Sequence, residues 1–458
     1  MRITLVSPQS YRPNVVLEQM ENYSLNPPVA LLYLAAGTAP NHDVCIIDNQ
    51  LRKLSTEKLV EEVLATNPDV VGVSVNFTTV VLNAQVLARA LKSRRPEMLV
   101  VAGGNCATFL SGTLCSAGGF DAVFLREADR SFPAFVDALE SCGDPWATPG
   151  LVFHRGGKTE TNTFAGYLRN LDELPAPRYD LLPDRERYLA TVVSSRGCSF
   201  NCIYCSTKSM WQHWRFRSPE HVLAEIDGLW ALGYRSSLAF CDDEFITRRA
   251  RVLTIAGMLE ERKYRYRWGF AGRIELIDGE LLAAVSRSGC EQIFFGIESG
   301  SDAVRQQLKR RCTAEEVERV VDLCIEHGIV PIVSFMVGNP YETREDVLKT
   351  LGLMRRINTY KVQMSVFTPL LGTPVFERPD EFGLQLDPRA YDLGSVNIDV
   401  GTVVHDTRHL SKEEIRDLWL EGQGILMRRY QERSRYEAAK AAARAKFAEP
   451  AAAEGATA

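Results

Sequence analysis

Short apolar, β-rich segments alternate with helical patterns twice along the chain, and this alternation limits the possible folds more than any other feature. In the first run, strands are predicted over 2–8, 43–49, 70–77, 98–104 and 122–125, with helices near 29–37, 55–66, 80–95, 108–117 and 131–140. In the second, strands are predicted over 189–195, 237–242, 266–273, 292–299, 330–338 and 361–368. Helix starts stand out at Ser218-Pro219, with proline in the first turn, and at the capping box Thr313-Ala-Glu-Glu316. Consecutive parallel strands need a crossover, and a helix supplies it, so the pattern predicts an α/β chain. Residues 1–150 read as a doubly wound parallel sheet and 188–375 as a partial (β/α)6 barrel, whose active mouth lies at the strands' carboxyl ends. Between them, 151–187 read as a hairpin turning at Gly156-Gly157 and a proline-rich linker. Beyond the barrel, 376–430 form an extension with one helix near 411–430, started by Ser411 with Glu414 three residues on. The tail, 431–458, is expected to fray into disorder.

Composition excludes several classes. The 458 residues are 45% hydrophobic and 24% charged, as in a globular protein, and a net charge of −5 gives no electrostatic case for nucleic acid. The opening MRITLVSP reads as a strand rather than a signal peptide, and no apolar run approaches the ~20 residues of a membrane helix. Eight cysteines (45, 106, 115, 142, 241, 290, 312, 324) show no paired spacing. They read as reduced thiols, several in the core, in keeping with a cytoplasmic protein. There is no G-x-G-x-x-G, which argues against a nicotinamide or flavin site.

The other three cysteines stand as Cys198-Ser-Phe-Asn-Cys202-Ile-Tyr-Cys205, after the strand Tyr188 to Ser195 and the pair Arg196-Gly197. Three thiolates can hold three irons of a [4Fe–4S] cluster and leave the fourth iron open to a chelating ligand. A zinc ion would want a fourth ligand, and the one nearby candidate is His213. The C-x3-C-x-aromatic-C loop after a first barrel strand resembles that of the radical S-adenosylmethionine (SAM) superfamily, in which the SAM amino and carboxylate groups chelate the open iron. The resemblance extends through the later strand ends in the expected order. Cys241-Asp242-Asp243-Glu244-Phe245 closes the second strand, and Arg273 the third. Phe295-Gly296-Ile297-Glu298-Ser299-Gly300 closes the fourth, Met336-Val337-Gly338-Asn339-Pro340 the fifth and Thr368 to Pro374 the sixth.

That resemblance implies a cluster on Cys198, Cys202 and Cys205. It implies SAM contacts from Tyr204, Asp242, Asp243, Arg273, Gly296, Glu298, Ser299, Gly338 and Pro340. The chemistry suits these roles. Carboxylates pair with the methionine ammonium, a glutamate accepts from both ribose hydroxyls, and an arginine at the mouth meets a carboxylate. A solvated acidic turn is the alternative account of at least one of the three carboxylates at 242–244. A surface position is the plainer account of Lys309, and loop packing explains Trp211 and Trp214 as well as a pocket wall does. In relatives, extensions such as 376–430 cover the barrel mouth.

The first-domain pattern VVGVSVNFTT, LVVAGGNCAT and FDAVFLREAD resembles the cobalamin-binding domain fused ahead of radical SAM domains. It implies a corrinoid site from Ser74, Asn76, Phe77, Thr78, Gly103, Gly104, Asn105 and Glu127. Two departures matter. Arg126-Glu127-Ala128-Asp129 stands where Gly-Glu is usual, and no Asp-x-His-x-x-Gly string supplies a lower cobalt ligand. His42, the only histidine before His154, precedes the second strand, at the wrong end of the sheet.

The combined resemblance implies a cobalamin-dependent radical SAM methyltransferase. Its cofactors are a [4Fe–4S] cluster, SAM and cobalamin. A 5′-deoxyadenosyl radical removes hydrogen from an unactivated carbon, which then takes methyl from methylcobalamin. Expected partners are a small-molecule or natural-product substrate and an external electron donor of flavodoxin or ferredoxin type. Cyclisation or ring contraction without methyl transfer uses the same two domains. Methylthio transfer to tRNA fits less well, because the further cysteine set and the C-terminal β-barrel of that group are missing. A non-enzymatic cobalamin or iron–sulfur sensor would need a signalling module that the sequence does not carry.

Overall fold

A computed structural model of the chain describes residues 1–10, 26–235, 237–262, 264, 266–387 and 402–448. These divide into two units, the first drawn from 1–189 and the second from 190–387 and 402–448.

The first unit is built on β1 (Arg2–Ser7), β2 (Asp43–Asp48), β3 (Val70–Ser74), β4 (Leu99–Gly103), β5 (Ala122–Phe124), β6 (Leu151–Arg155) and β7 (Lys158–Thr161), in the order β2-β1-β3-β4-β5-β6-β7. The first five pair in parallel. Val70, Val71 and Val73 on β3 and Val100, Val101 and Ala102 on β4 are buried, as expected of parallel strands covered on both faces. The order reverses between β1 and β3, and beyond the carboxyl ends of such a switch point an open α/β sheet binds ligands. One predicted helix, 108–117, is instead two, Asn105–Phe109 and Ser111–Ala117. The hairpin turns at Gly156 and Gly157, both at positive φ. It adds β6 and β7 antiparallel to β5 and so extends the sheet.

The second unit holds β8 (Ala190–Val192), the short antiparallel pair β9 (Ser195–Arg196) and β10 (Arg215–Phe216), then β11 (Ser237–Phe240), β12 (Arg267–Ala271), β13 (Cys290–Glu298), β14 (Val330–Val337) and β15 (Val362–Val366). Its main sheet runs β8-β11-β12-β13-β14-β15, every neighbour parallel. Strictly sequential order with helical crossovers is the arrangement of a partial barrel. Ser218 caps the helix Pro219–Ala231, and Thr313 and Glu316 close a reciprocal capping box, as predicted. Beyond β15, β16 (Leu384–Leu386) pairs antiparallel with β17 (His405–Thr407). The helix Lys412–Gln431 starts at a Ser411–Glu414 capping box. Residues 433–448 of the expected tail form a helix rather than fraying, while 449–458 lie outside the described residues.

Gly300 illustrates how closely the second unit packs. A Cβ there would lie 2.5 Å from Thr350 Cα and 2.6 Å from the Lys349 carbonyl oxygen, both backbone atoms of the helix Arg344–Arg356. Gly300→Ala therefore must push that helix off the strand end. It is expected to cost about 1–3 kcal/mol in urea unfolding of the full chain.

Candidate active site

The cluster loop leaves β9 at Gly197, whose positive φ of 85° and position 2.5 Å (from an added Cβ) to the His213 carbonyl require glycine. Cys198, Cys202 and Cys205 are free and partly exposed on this one loop. Among the described residues no three His, Cys, Asp or Glu side chains converge as on a single ion. A cluster does not ask for that, because each thiolate takes a different iron. Burial pushes the Cys198 thiol up to about 12, with the charges of Glu244, Cys205 and Cys202 adding to the rise. His213 is exposed, and Trp211 lies between Arg196 and Arg215, each guanidinium 5.6 Å from its ring. Trp214 stacks on Phe216 at 4.8 Å. Both tryptophans thus pack within the loop and its β10 neighbour.

The carboxylates after β11 divide by role. Asp242 is buried and accepts from Ser194 N at 2.7 Å and from the hydroxyls of Ser194 and Ser195 at 2.6 Å each. Burial raises its pKa against these bonds. Its oxygens anchor the segment that launches the cluster loop. Asp243 accepts from Gly197 N at 3.0 Å and Thr207 Oγ1 at 3.1 Å, bracing the loop from its other side. Glu244, a member of the triplet but not one of the residues singled out from sequence, is buried. Burial pushes it up to about 7, against the pull of Arg273 and Arg310.

At the end of β13, Glu298 has a left-handed φ of 73°, a strained conformation for a non-glycine residue that often marks function. Its Oε1 accepts from Tyr204 Oη at 2.8 Å and from Arg310 Nη2 at 2.8 Å, and Arg310 Nε also reaches Tyr204 Oη at 3.2 Å. Among the described residues both of these bonds fall on Oε1. Burial and the Glu298 charge hold the Tyr204 phenol well above its ordinary pKa, so it stays a donor. A Cβ at Gly296 would meet Glu298 Oε1 at 2.4 Å and Arg310 Nη2 at 2.6 Å, so that glycine makes room for the triad itself. Ser299 is fully buried and bonds Thr350 Oγ1 at 3.2 Å and Ser301 N at 3.1 Å. It ties the strand end to the helix Arg344–Arg356. Arg310 went unnoticed in the sequence because Lys309-Arg310-Arg311 looks like any basic surface run. Lys309 is exposed, as expected, while its neighbour turns inward.

The end of β14 carries a buried polar knot. Glu342 accepts from Gly338 N at 2.8 Å, Asn339 N at 3.0 Å and Asn339 Nδ2 at 3.2 Å, and His405 Nε2 donates to the Gly338 carbonyl at 2.8 Å. Pro340 is buried beside it. Burial pushes Glu342 up to about 7 from an ordinary 4.5. The folded chain then binds this proton more tightly than the unfolded one, so this group's contribution to stability is full below about pH 4.5 and is lost as pH rises to about 7. The fall is about 3 kcal/mol for this group alone. Urea unfolding across that range should show it, with a flatter slope in Glu342→Gln.

In the first unit the expected corrinoid residues collect at the strand ends. Asn76 Nδ2 bonds Ser74 Oγ at 2.9 Å, and its Oδ1 accepts from Asn105 N at 3.2 Å. Thr78 begins the helix that follows. Phe77 is 66% exposed. Gly103 leaves open space, an added Cβ meeting only Phe124 Cβ at 3.9 Å. Gly104 is different. At φ 115°, its Cβ would strike Asn76 Oδ1 at 2.4 Å and the Val75 carbonyl at 2.9 Å, so the chain's own loop demands this glycine. Glu127 is buried and accepts from Leu168 N at 2.9 Å, which ties it to the following segment. Arg126, at φ 59°, lies against Phe164 and Tyr167. His42 is buried at the amino end of the sheet against Asp137, at 2.8 Å. Open space at Gly103, amide and hydroxyl groups and an exposed aromatic suit a large, flat, amide-bearing ring.

A doubly wound ligand domain joined to a six-stranded parallel barrel whose first loop carries three cysteines defines a class of cofactor-dependent α/β enzyme. The Radical SAM superfamily model matches residues 192–354 and the B12 binding domain model matches 22–136. An uncharacterised methyltransferase of Pyrococcus horikoshii is 30% identical over 359 residues, which cover 77% of this chain and 78% of the relative. The anaerobic magnesium-protoporphyrin IX monomethyl ester cyclase of Rubrivivax gelatinosus is 24% identical, over 77% of this chain and 66% of its own length. In fold, the chain resembles the radical SAM methyltransferase TsrM from Kitasatospora setae with cobalamin and [4Fe–4S] cluster bound. That likeness has a TM-score of 0.74 at 16% identity and covers 98% of this chain and 100% of the other. The chain belongs to the cobalamin-binding radical SAM family. Its cofactors are accordingly a [4Fe–4S] cluster, SAM and cobalamin. No helix among the described residues is long and apolar enough to cross a membrane.

Proposed function

We propose that this chain is a cobalamin-dependent radical SAM methyltransferase acting on an unactivated carbon of a small-molecule or natural-product substrate. The observation that carries the reading is that one chain holds both a three-cysteine loop at the head of a radical SAM barrel and a B12-type domain, in a family whose 30%-identical member is named a methyltransferase. When bound, the cluster and SAM supply hydrogen abstraction and the corrinoid supplies the methyl group.

The chain's own residues do the rest. Cys198, Cys202 and Cys205 hold the cluster. Glu298, oriented by Tyr204 and Arg310, presents Oε2 to the SAM ribose, while Gly338 and Pro340 line the adenine side. Of the carboxylates in this turn, Asp242 and Asp243 hold the cluster loop, while Glu244 accepts from Ile246 N and is left as the candidate for the methionine ammonium. Ser74, Asn76, Phe77, Thr78, Gly103 and Asn105 face the corrinoid. An external low-potential electron donor and a cytoplasmic setting suit the free thiols.

Cyclisation is the second reading, favoured by the likeness to the Rubrivivax cyclase. Product mass separates the two. With SAM carrying a deuterated methyl group, methyl transfer adds the labelled carbon to the substrate, whereas cyclisation leaves it without label. Retention of SAM cleavage without label in any product from candidate substrates would sink the methyltransferase reading.

A further inference from the structure

Arg273 closes β12 and is 4% exposed. The guanidinium is already committed on both edges. Nε and Nη2 both donate to Glu275 Oε1, at 3.2 and 2.5 Å, and Nη1 reaches Cys202 Sγ at 3.5 Å. Its flat face lies 3.9 Å from the ring centre of Phe200, inside the cluster loop itself. Glu275 is in turn approached by Arg311 N at 3.5 Å. A carboxylate is captured well by two parallel N–H groups on one edge of arginine, and here that fork is spent on Glu275.

We propose that Arg273 serves the cluster rather than the SAM carboxylate: its Nη1–H···Sγ bond to Cys202, braced by Glu275 and Phe200, sets the cluster's reduction potential. This rests on reading Cys198, Cys202 and Cys205 as cluster ligands. A hydrogen bond to a ligating sulfur is among the levers by which a protein tunes an iron–sulfur centre. The cluster gains one electron from an external low-potential reductant, with no bond made or broken. Negative charge on its sulfurs rises, and a cationic N–H donor stabilises the reduced form more than the oxidised one. Arg273 thereby raises the potential and eases electron entry. Glu275 offsets part of that charge, so the pair fixes a set point.

The test is an EPR-monitored redox titration of the anaerobically reconstituted full chain, with iron content measured in parallel, on wild type, Arg273→Met, Arg273→Lys and Glu275→Gln. Wild type is expected to hold about four irons. Arg273→Met should shift the midpoint to more negative potential, lowering the reduced-to-oxidised ratio at fixed potential about fivefold or more. Arg273→Lys, which keeps charge without the fork, should fall between. Glu275→Gln should move the midpoint the other way. Should Arg273→Met fail to take up iron, the opposite shifts of Arg273→Lys and Glu275→Gln still decide the matter. Unchanged midpoints at full iron content overturn the proposal, and a raised SAM KM with no shift returns Arg273 to the SAM carboxylate. A wild-type chain that reconstitutes no four-iron cluster overturns the underlying ligand assignment instead.

Discussion

A Cys202→Ala chain is expected to lose its cluster, with iron falling well below the wild-type content of about four per chain, and to cleave SAM no faster than a protein-free control. The physical reason is that the loop supplies three thiolates for three irons, so losing one leaves an iron without its protein ligand. Removing a direct ligand should cost more than the roughly 10–100-fold typical of losing an outer-shell partner. Cys142→Ala is the matched control, since that thiol is exposed in the other unit and free. It should leave iron content and 5′-deoxyadenosine formation at wild-type levels. Full cleavage activity in Cys202→Ala would remove the cluster assignment altogether.

Arg217→Met is expected to destabilise the second unit by about 3–5 kcal/mol, the usual result of stripping one partner from a buried ion pair. Arg217 and Glu225 meet at 2.5 Å with side chains only 1% and 3% exposed. The same guanidinium donates to the Val193 carbonyl at 3.2 Å and to His221 Nδ1 at 2.9 Å. Arg251, also buried, donates to the carbonyls of Arg217 and Ser194, at 2.9 and 2.8 Å. The network thus braces the strand from which the cluster loop departs, opposite the grip of Asp242 on Ser194 and Ser195. Methionine keeps the bulk and abandons the Glu225 charge in a low-dielectric interior. Urea unfolding of the full chain should show the loss as a lower midpoint. The double replacement Arg217→Met with Glu225→Leu should recover much of it, because the penalty lies in the orphaned charge. Equal stability of the single variant and wild type would mean that the pair is solvated.

Much of this protein was legible in its sequence because its signals are local. Short apolar, β-rich runs, Ser218-Pro219 and the capping boxes at Thr313 and Ser411 mark elements through contacts of a few residues, and those elements appear where expected. The cysteine spacing is equally local, and so is the run of strand-end motifs that points to the family. The missed residues depend on distance in sequence. Arg310 is 106 residues from Tyr204, and nothing in Lys309-Arg310-Arg311 says which of three cations turns inward. His405 reaches Gly338 across 67 residues. The hairpin after Gly150 has a readable turn, but its attachment to β5 is a matter of sheet registry.

The sequence by itself determined the order of strands and helices, the cluster loop and the family, because hydrophobic period, capping and ligand spacing act over a few residues. Only the tertiary structure decided which carboxylates are already engaged. Asp242 binds Ser194 and Ser195, Asp243 braces the loop, and Glu298 accepts from Tyr204 on Oε1. Likewise only the fold shows that Arg273 faces a cysteine sulfur and that Gly104 and Gly300 are needed by neighbouring backbone or side chains. A polar side chain's role is set by which donors, acceptors and charges surround it after burial. Those neighbours come from strands and helices far apart in the chain, which no local pattern encodes.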